Sequence, residues 1–149
     1  IAQRLHAKPG ETWYRISGSR RLAGRGPRIC WVDVYVRPEL ADVVSLIGRT
    51  DLRIFELIEQ GFGRRVARVT VDLQAGRMAH EIAGYLAVPR GSPSLSIVRR
   101  YYDDAGELFE AAIAEHPADR FSYTLELRRE RMGVYDTEGV GGRGAGVRR

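Results

Sequence analysis

Residues 29–36, ICWVDVYV, alternate without a break: Cys30, Val32, Val34 and Val36 fall on one side of an extended chain, and Trp31, Asp33 and Tyr35 on the other. The period of two predicts a strand over Ile29–Val36 with its cysteine and valine side toward a core. Reading outward, a short strand is expected upstream at Thr12–Ser17. Downstream, Pro38 suits the first turn of a helix reaching Ile47, where Leu40, Val43, Val44 and Ile47 recur at three and four residues and Gly48 stops it. Thr50 or Asp51 can cap a second helix, Leu52–Gln60, closed by Gly61. A second alternating run, Arg65–Leu73, places Ala67, Val69, Val71 and Leu73 inward. Gly76–Leu86 reads as a helix with Met78, Ile82 and Tyr85 or Leu86 buried, followed by a Pro89, Gly91, Pro93 loop.

Three further strands are expected at Leu95–Tyr102, Leu108–Glu115 and Phe121–Arg129, joined by the turn DDAGE and the corner HPADR. A faint repeat links the halves. Arg20-Arg21, a glycine-containing turn and ICWVDVYV resemble Arg99-Arg100, DDAGE and LFEAAIAE. Two such hairpins separated by helices give an α+β fold, an antiparallel sheet covered on one face by helices.

The 149 residues, 44% hydrophobic and 29% charged, suit one globular domain and exclude a disordered or collagen-like chain. No run approaches the roughly 20 apolar residues of a membrane span. Cys30 is the single cysteine and there are three histidines, too few for a thiolate zinc site, so no metal or cofactor is expected and a reducing cytoplasm fits. The net charge is +5, but residues 139–149 carry Arg143, Arg148 and Arg149 and no acid, and without these three arginines it falls to +2. No helix concentrates basic residues, so the chain is not expected to read DNA itself. All basic residues but Lys8 are arginine, a bias that fits GC-rich coding and a bacterial source. Residues 1–11 read as a linker from a missing N-terminal part, 12–131 as the ordered domain, and 132–149 as a flexible tail.

Catalytic constellations are absent: there is no Gly-x-Ser-x-Gly elbow, phosphate loop or dinucleotide-binding glycine pattern. Cys30 lies among valines and reads as an inert thiol. His116 differs. It ends a strand on the face of Leu108, Glu110, Ala112 and Ala114, where small alanines leave room for a ligand. In each arginine pair, one member can look into a given cleft, where it would grip a carboxylate or phosphate or else be neutralised by Asp33, Glu110 or Asp72.

The run LAVPRGSPSLSIVRRYYDDAGELFEAAIAEHPADRFSYTLELRR resembles the closing section of the UTRA domain, the effector-binding module of HutC-type GntR transcription regulators. IEQGFGRRVARVTVDLQA and RLAGRGP are similar to earlier elements of that family, so the likeness covers about Thr12 to Arg131. The resemblance implies a chorismate-lyase-like α+β fold, a homodimer and a small-molecule effector between sheet and helices. It also implies operator binding through a missing winged helix-turn-helix, controlled allosterically by the effector. Position by position, Arg21 matches the second arginine of an anion-gripping Arg-x-Arg, with Ser19 at the first. Arg53 stands where phosphosugar binders have serine, Phe55 where tyrosine follows, and Trp31 at the spacing of an acid, with Asp33 two residues on. His116 replaces a tyrosine. These departures point to a flat or aromatic carboxylic acid, or another anionic metabolite, held by Arg21, Trp31, Asp33, Arg53, Phe55, Arg100 and His116. An alternative is a chorismate pyruvate-lyase-like enzyme on the same fold, with Asp33 or Glu110 moving the proton. A bare dimerisation module, in which Arg21 and Asp33 neutralise one another, is a third reading.

Overall fold

The computed structural model describes residues 1–21 and 26–126. Among the described residues five strands form one antiparallel sheet: β1 (Tyr14–Arg21), β2 (Arg28–Val36), β3 (Arg68–Arg77), β4 (Pro93–Tyr102) and β5 (Leu108–Pro117), in the order β1-β2-β5-β4-β3. The connecting helices are short: α1 (Ala2–Leu5), a 3-10 helix (Pro38–Leu46), α2 (Ile54–Gly61) and α3 (His80–Leu86). The chain is thus α+β, as expected. Its two hairpins, β1–β2 and β4–β5, are joined where β2 pairs with β5 in the register Val34↔Ala112.

Alternation along β2 separates the two faces. On the front, Val34 and Val36 pack with Tyr101 and Phe109 beneath Leu40 and Val43 of the 3-10 helix and Leu57 and Ile58 of α2. Phe109 reaches this cluster because it is the extra residue where the β4–β5 register shifts between Tyr101↔Glu110 and Tyr102↔Leu108. On the back, Tyr35, Val98, Ala111 and Ile113 pack around Leu5 of α1. Also on the back, α3 leans on β2, its Tyr85 ring stacked on Trp31 at 4.6 Å. Helices therefore cover both faces, rather than one, because Tyr35, Val98 and Ile113 make the back of the central strands as apolar as the front.

Local chemistry sets several boundaries away from their expected positions. The helix after Gly48 begins at Ile54, not Leu52, because the Glu56 side chain accepts the Arg53 backbone N–H at 2.6 Å. The strand expected to end at Leu73 runs to Arg77, since β4 supplies partners for all ten residues from Arg68↔Tyr102 to Arg77↔Pro93, and α3 starts only at His80. β3 is also an edge, so Val69, Val71 and Leu73, expected inward, are exposed beyond the reach of α2. Residues 121–126, expected to open a last strand, join no ladder, and β5, the strand they follow, already has β2 and β4 on its two sides. Residues 127–149, with the rest of that strand and the expected tail, lie outside the described residues, as do residues 22–25.

The segment read as a linker is docked. Leu5 is 2% exposed. Arg100, itself buried on β4, donates from Nε to the Arg4 carbonyl at 3.0 Å and pairs through Nη1 with Asp72 at 2.7 Å.

Candidate functional site

A cavity of about 180 Å³ opens on the front face, between the sheet and the N-terminal end of α2. At about 30 Å³ per water it holds roughly six waters, or one small metabolite. Register explains why space is left there. Ala112 and Ala114 of β5 stand between Val34 and Val32 of β2 and Arg99 and Ile97 of β4, so a central strip of the sheet carries only methyl groups. The 3-10 helix and the body of α2 cover the Val36 and Phe109 end of the sheet, while Arg53, Ile54 and Phe55 roof the alanine strip. Phe55 is fixed by stacking on Tyr101, with ring centroids 4.8 Å apart.

Three guanidiniums border this space: Arg20 from β1, Arg53 from the start of α2, and Arg99 from β4. Those of Arg20 and Arg99 are neither hydrogen-bonded nor ion-paired among the described residues. Glu110 of β5 is 3% exposed, and its Oε2 has no hydrogen-bond partner there. Burial pushes its carboxyl up to about 8, against the pull of Arg20, so it carries its proton at neutral pH. His116 Nδ1 is likewise buried without a partner, while its ring packs on Phe121 at 3.9 Å. Burial lowers the pKa of this imidazole and keeps it neutral. The Cys30 thiol, on the β2 wall, is raised by burial and stays protonated, as its place among valines suggested. An anion entering this cavity meets positive charge, a neutral carboxyl and a neutral imidazole, with no fixed negative charge opposing it.

The seven expected site residues do not share one place. Arg53, Phe55 and His116 border the cavity. Trp31 and Asp33 are on the back, where with Arg15, His80, Glu81 and Tyr85 they line an open groove. There Asp33 Oδ1 accepts hydrogen bonds from Arg15 at 2.9 Å and Trp31 Nε1 at 3.3 Å, so it is paired with Arg15 rather than Arg21. Arg21 is exposed and donates to the Gly26 carbonyl at 3.0 Å. Arg100 faces the back and holds α1. In both arginine pairs the neighbour, Arg20 or Arg99, turns to the cavity. In the first pair, Arg20 stands opposite Cys30 and shares its face by unbroken alternation along β1, the register shifting only beyond it, between Arg20 and Arg21. In the second, the signal available in the sequence was parity: Arg99 shares a face with Ile97 and Tyr101. Among the described residues no cluster of His, Cys, Asp and Glu could hold a metal ion, and no helix is long and apolar enough to cross a membrane.

Comparison with known proteins places this geometry in a family. A family model described as the UTRA domain matches residues 1–122. The HTH-type transcriptional regulator Rv0792c of Mycobacterium tuberculosis is 26% identical over 113 residues, 74% of this chain and 42% of its own length. The chain thus spans about two fifths of that curated relative. Among solved structures, the ligand-binding domain of a Bordetella bronchiseptica protein assigned to the GntR family of transcriptional regulators is 25% identical, with a TM-score of 0.70 over 86% of this chain and 82% of that one. A GntR-family regulator from Enterococcus faecalis is 21% identical, with a TM-score of 0.67 over 85% of this chain and 88% of that one, a likeness of fold.

Proposed function

The chain belongs to the UTRA domain family, and on that premise we propose that its front cavity binds a small anionic effector, as the sensing part of a GntR-type transcription regulator of the HutC kind. The observation that carries this reading is the pair Arg20 and Arg99, whose guanidiniums have no partner among the described residues and border one cavity with no ionised carboxylate in its lining. Unpaired arginines in a shared cleft repel one another and are costly to desolvate, and a bound carboxylate or phosphate relieves both effects through forked hydrogen bonds. The Bordetella domain, described as ligand-binding, supports the same reading.

On this proposal the cavity binds rather than transforms its ligand, and the protein works in the cytoplasm as a homodimer. Its effect on operator DNA passes through a separate winged helix-turn-helix, and the response is limited by the effector's differential affinity for the two arrangements of the dimer. The experiment is a thermal-shift screen of the chain against metabolites rich in carboxylic acids and phosphate esters. A ligand at 100 times its Kd raises stability by about 2.7 kcal/mol. The reading requires a hit whose shift is lost in Arg99→Ala and kept in Arg21→Ala. A hit indifferent to Arg99, or pyruvate release from chorismate above background, would refute it.

A further inference from the structure

On the back of the sheet, away from the cavity, a groove of about 480 Å³ lies between β2 and α3, within the roughly 300–1,000 Å³ of small-molecule sites. Its lining follows from two spacings. Trp31 and Asp33 are two apart on β2 and share its back face, while Glu81 and Tyr85 are four apart on α3 and share one side of the helix. Strand and helix thus each bring an aromatic ring and a carboxylate to the groove. The rings stack at 4.6 Å with 20° between their planes. The carboxylates share the groove with one guanidinium, that of Arg15, whose pKa is raised by its hydrogen bond to Asp33 and, more weakly, by the charge of Glu81.

Neither carboxylate is fully engaged. Four donors converge on Oδ1 of Asp33: Arg15 Nε at 3.0 Å and Nη2 at 2.9 Å, Ser17 Oγ at 2.5 Å and Trp31 Nε1 at 3.3 Å. Oδ2 receives no hydrogen bond from the described residues, although the side chain is only 14% exposed. Glu81 has neither a hydrogen bond nor an ion pair among them. Beside these acceptors Tyr85 is 52% exposed, a large aromatic surface left open next to unneutralised negative charge.

We propose that this groove is a second binding site, for a small organic cation: a primary amine or guanidine on a flat apolar body, its charge held by Asp33 Oδ2 and Glu81 and its body laid against Tyr85 and Trp31. An ionised carboxylate only accepts, and its bonds to charged N–H donors are about twice as strong as neutral ones. A cation beside a Trp or Tyr ring gains further from the ring's negative face. Asp33 and Glu81 together outweigh Arg15, which is already committed to Oδ1, so the charge left over in the groove is negative. The front cavity has the opposite chemistry, three guanidiniums and no ionised carboxylate, so the two faces of β2 take ligands of opposite charge. This site stands independently of the effector reading.

The test uses the full chain at about pH 7 and two matched pairs, benzylamine with benzyl alcohol and phenylguanidine with phenylurea. Binding is followed by NMR at the two indole N–H signals, because Trp31 Nε1 touches the site through Asp33 and Trp13 packs elsewhere on the back. In at least one pair the cation should bind tenfold or more tightly than its neutral isostere, with a saturable shift at Trp31 and none at Trp13. Asp33→Asn should bring the ratio near one, and Glu81→Gln should weaken the cation about threefold, the scale of an exposed charge pair. Tyr85→Ala should weaken both members of a pair, and Arg99→Ala neither. If Asp33→Asn does not fold, the exposed Glu81→Gln and Tyr85→Ala decide the matter. Equal binding within both pairs, no binding of any probe, or binding lost in Arg99→Ala would overturn the site. N-acetylarginine amide binding more tightly than phenylguanidine would assign the groove to an arginine of a protein partner and overturn the small-ligand reading.

Discussion

Leu5→Ala tests whether the N-terminal segment is part of the folded domain. Leu5 is 2% exposed and packs against Tyr35, Val98, Ala111 and Ile113 behind the strands that line the cavity. Removing three carbon atoms forfeits about 2.4 kcal/mol of transfer energy at roughly 0.8 kcal/mol per methylene. A rigid site would add a cavity penalty, taking such changes as high as about 5 kcal/mol. Here α1 is one turn long and can undock, so the loss is capped by what docking contributes, namely Leu5 itself, the Arg100 bonds to the Arg4 carbonyl and the Arg4 to Glu115 pair at 3.5 Å. We expect a loss of about 2–3 kcal/mol. Urea unfolding would show it as a lower midpoint at unchanged slope. Hydrogen exchange should also lose protection at the Leu5 and Ala7 amides, which donate to the Ile1 and Ala2 carbonyls at 3.0 Å. Ile1→Ala, at a 66% exposed position, should be neutral. A change below about 0.5 kcal/mol for Leu5→Ala, the range of ordinary surface substitutions, would refute the docking.

Arg100→Met should cost about 2–3 kcal/mol, the scale of hydrogen bonds to a charged group, and free the same amides to exchange, while anion binding persists; loss of binding with α1 still docked would contradict the separation of the two faces. Stability should fall as pH rises from about 4.5 to about 8, because folded Glu110 keeps a proton that the unfolded chain releases, and Glu110→Gln should flatten this slope, worth on the order of 5 kcal/mol in full. Below pH 6.5 the sign reverses for His116. The unfolded chain binds a proton that the buried imidazole resists, so His116→Phe should soften acid unfolding as followed by circular dichroism. Cys30 should react with a thiol reagent at the rate of unfolding rather than at that of an exposed thiol; rapid labelling of the native protein would place it outside the core.

The residues of β2 and β5 were legible because a strand buried on one face writes its period of two directly into the sequence, and Ala112, Ala114 and His116 marked the face with room for a ligand. Arg53 and Phe55 were reached through family resemblance, and the structure brings both to that space. Other parts were not legible for physical reasons. Alternation gives parity but not polarity, so that Trp31 and Asp33 lie on the back, away from the cavity, follows only from knowing what covers each face. Arg20 lies on the cavity face because β1 pairs with β2 in the register Arg20↔Cys30, and that register belongs to the assembled sheet rather than to the local sequence. Val69, Val71 and Leu73 alternate like a core strand yet stand at an edge, and edge position is a property of the whole sheet. Residues 1–11 lacked a visible period because one buried leucine and a backbone carbonyl suffice to dock a single turn.

The most direct test of the central claim follows the arginine side-chain Nε–H signals by NMR while a hit from the metabolite screen is added. Saturable shifts at Arg20, Arg53 and Arg99, with Arg15, Arg21 and Arg100 unmoved, are the predicted result. Shifts confined to Arg15 in the back groove, or absent from Arg20 and Arg99, would contradict an effector site on the front face.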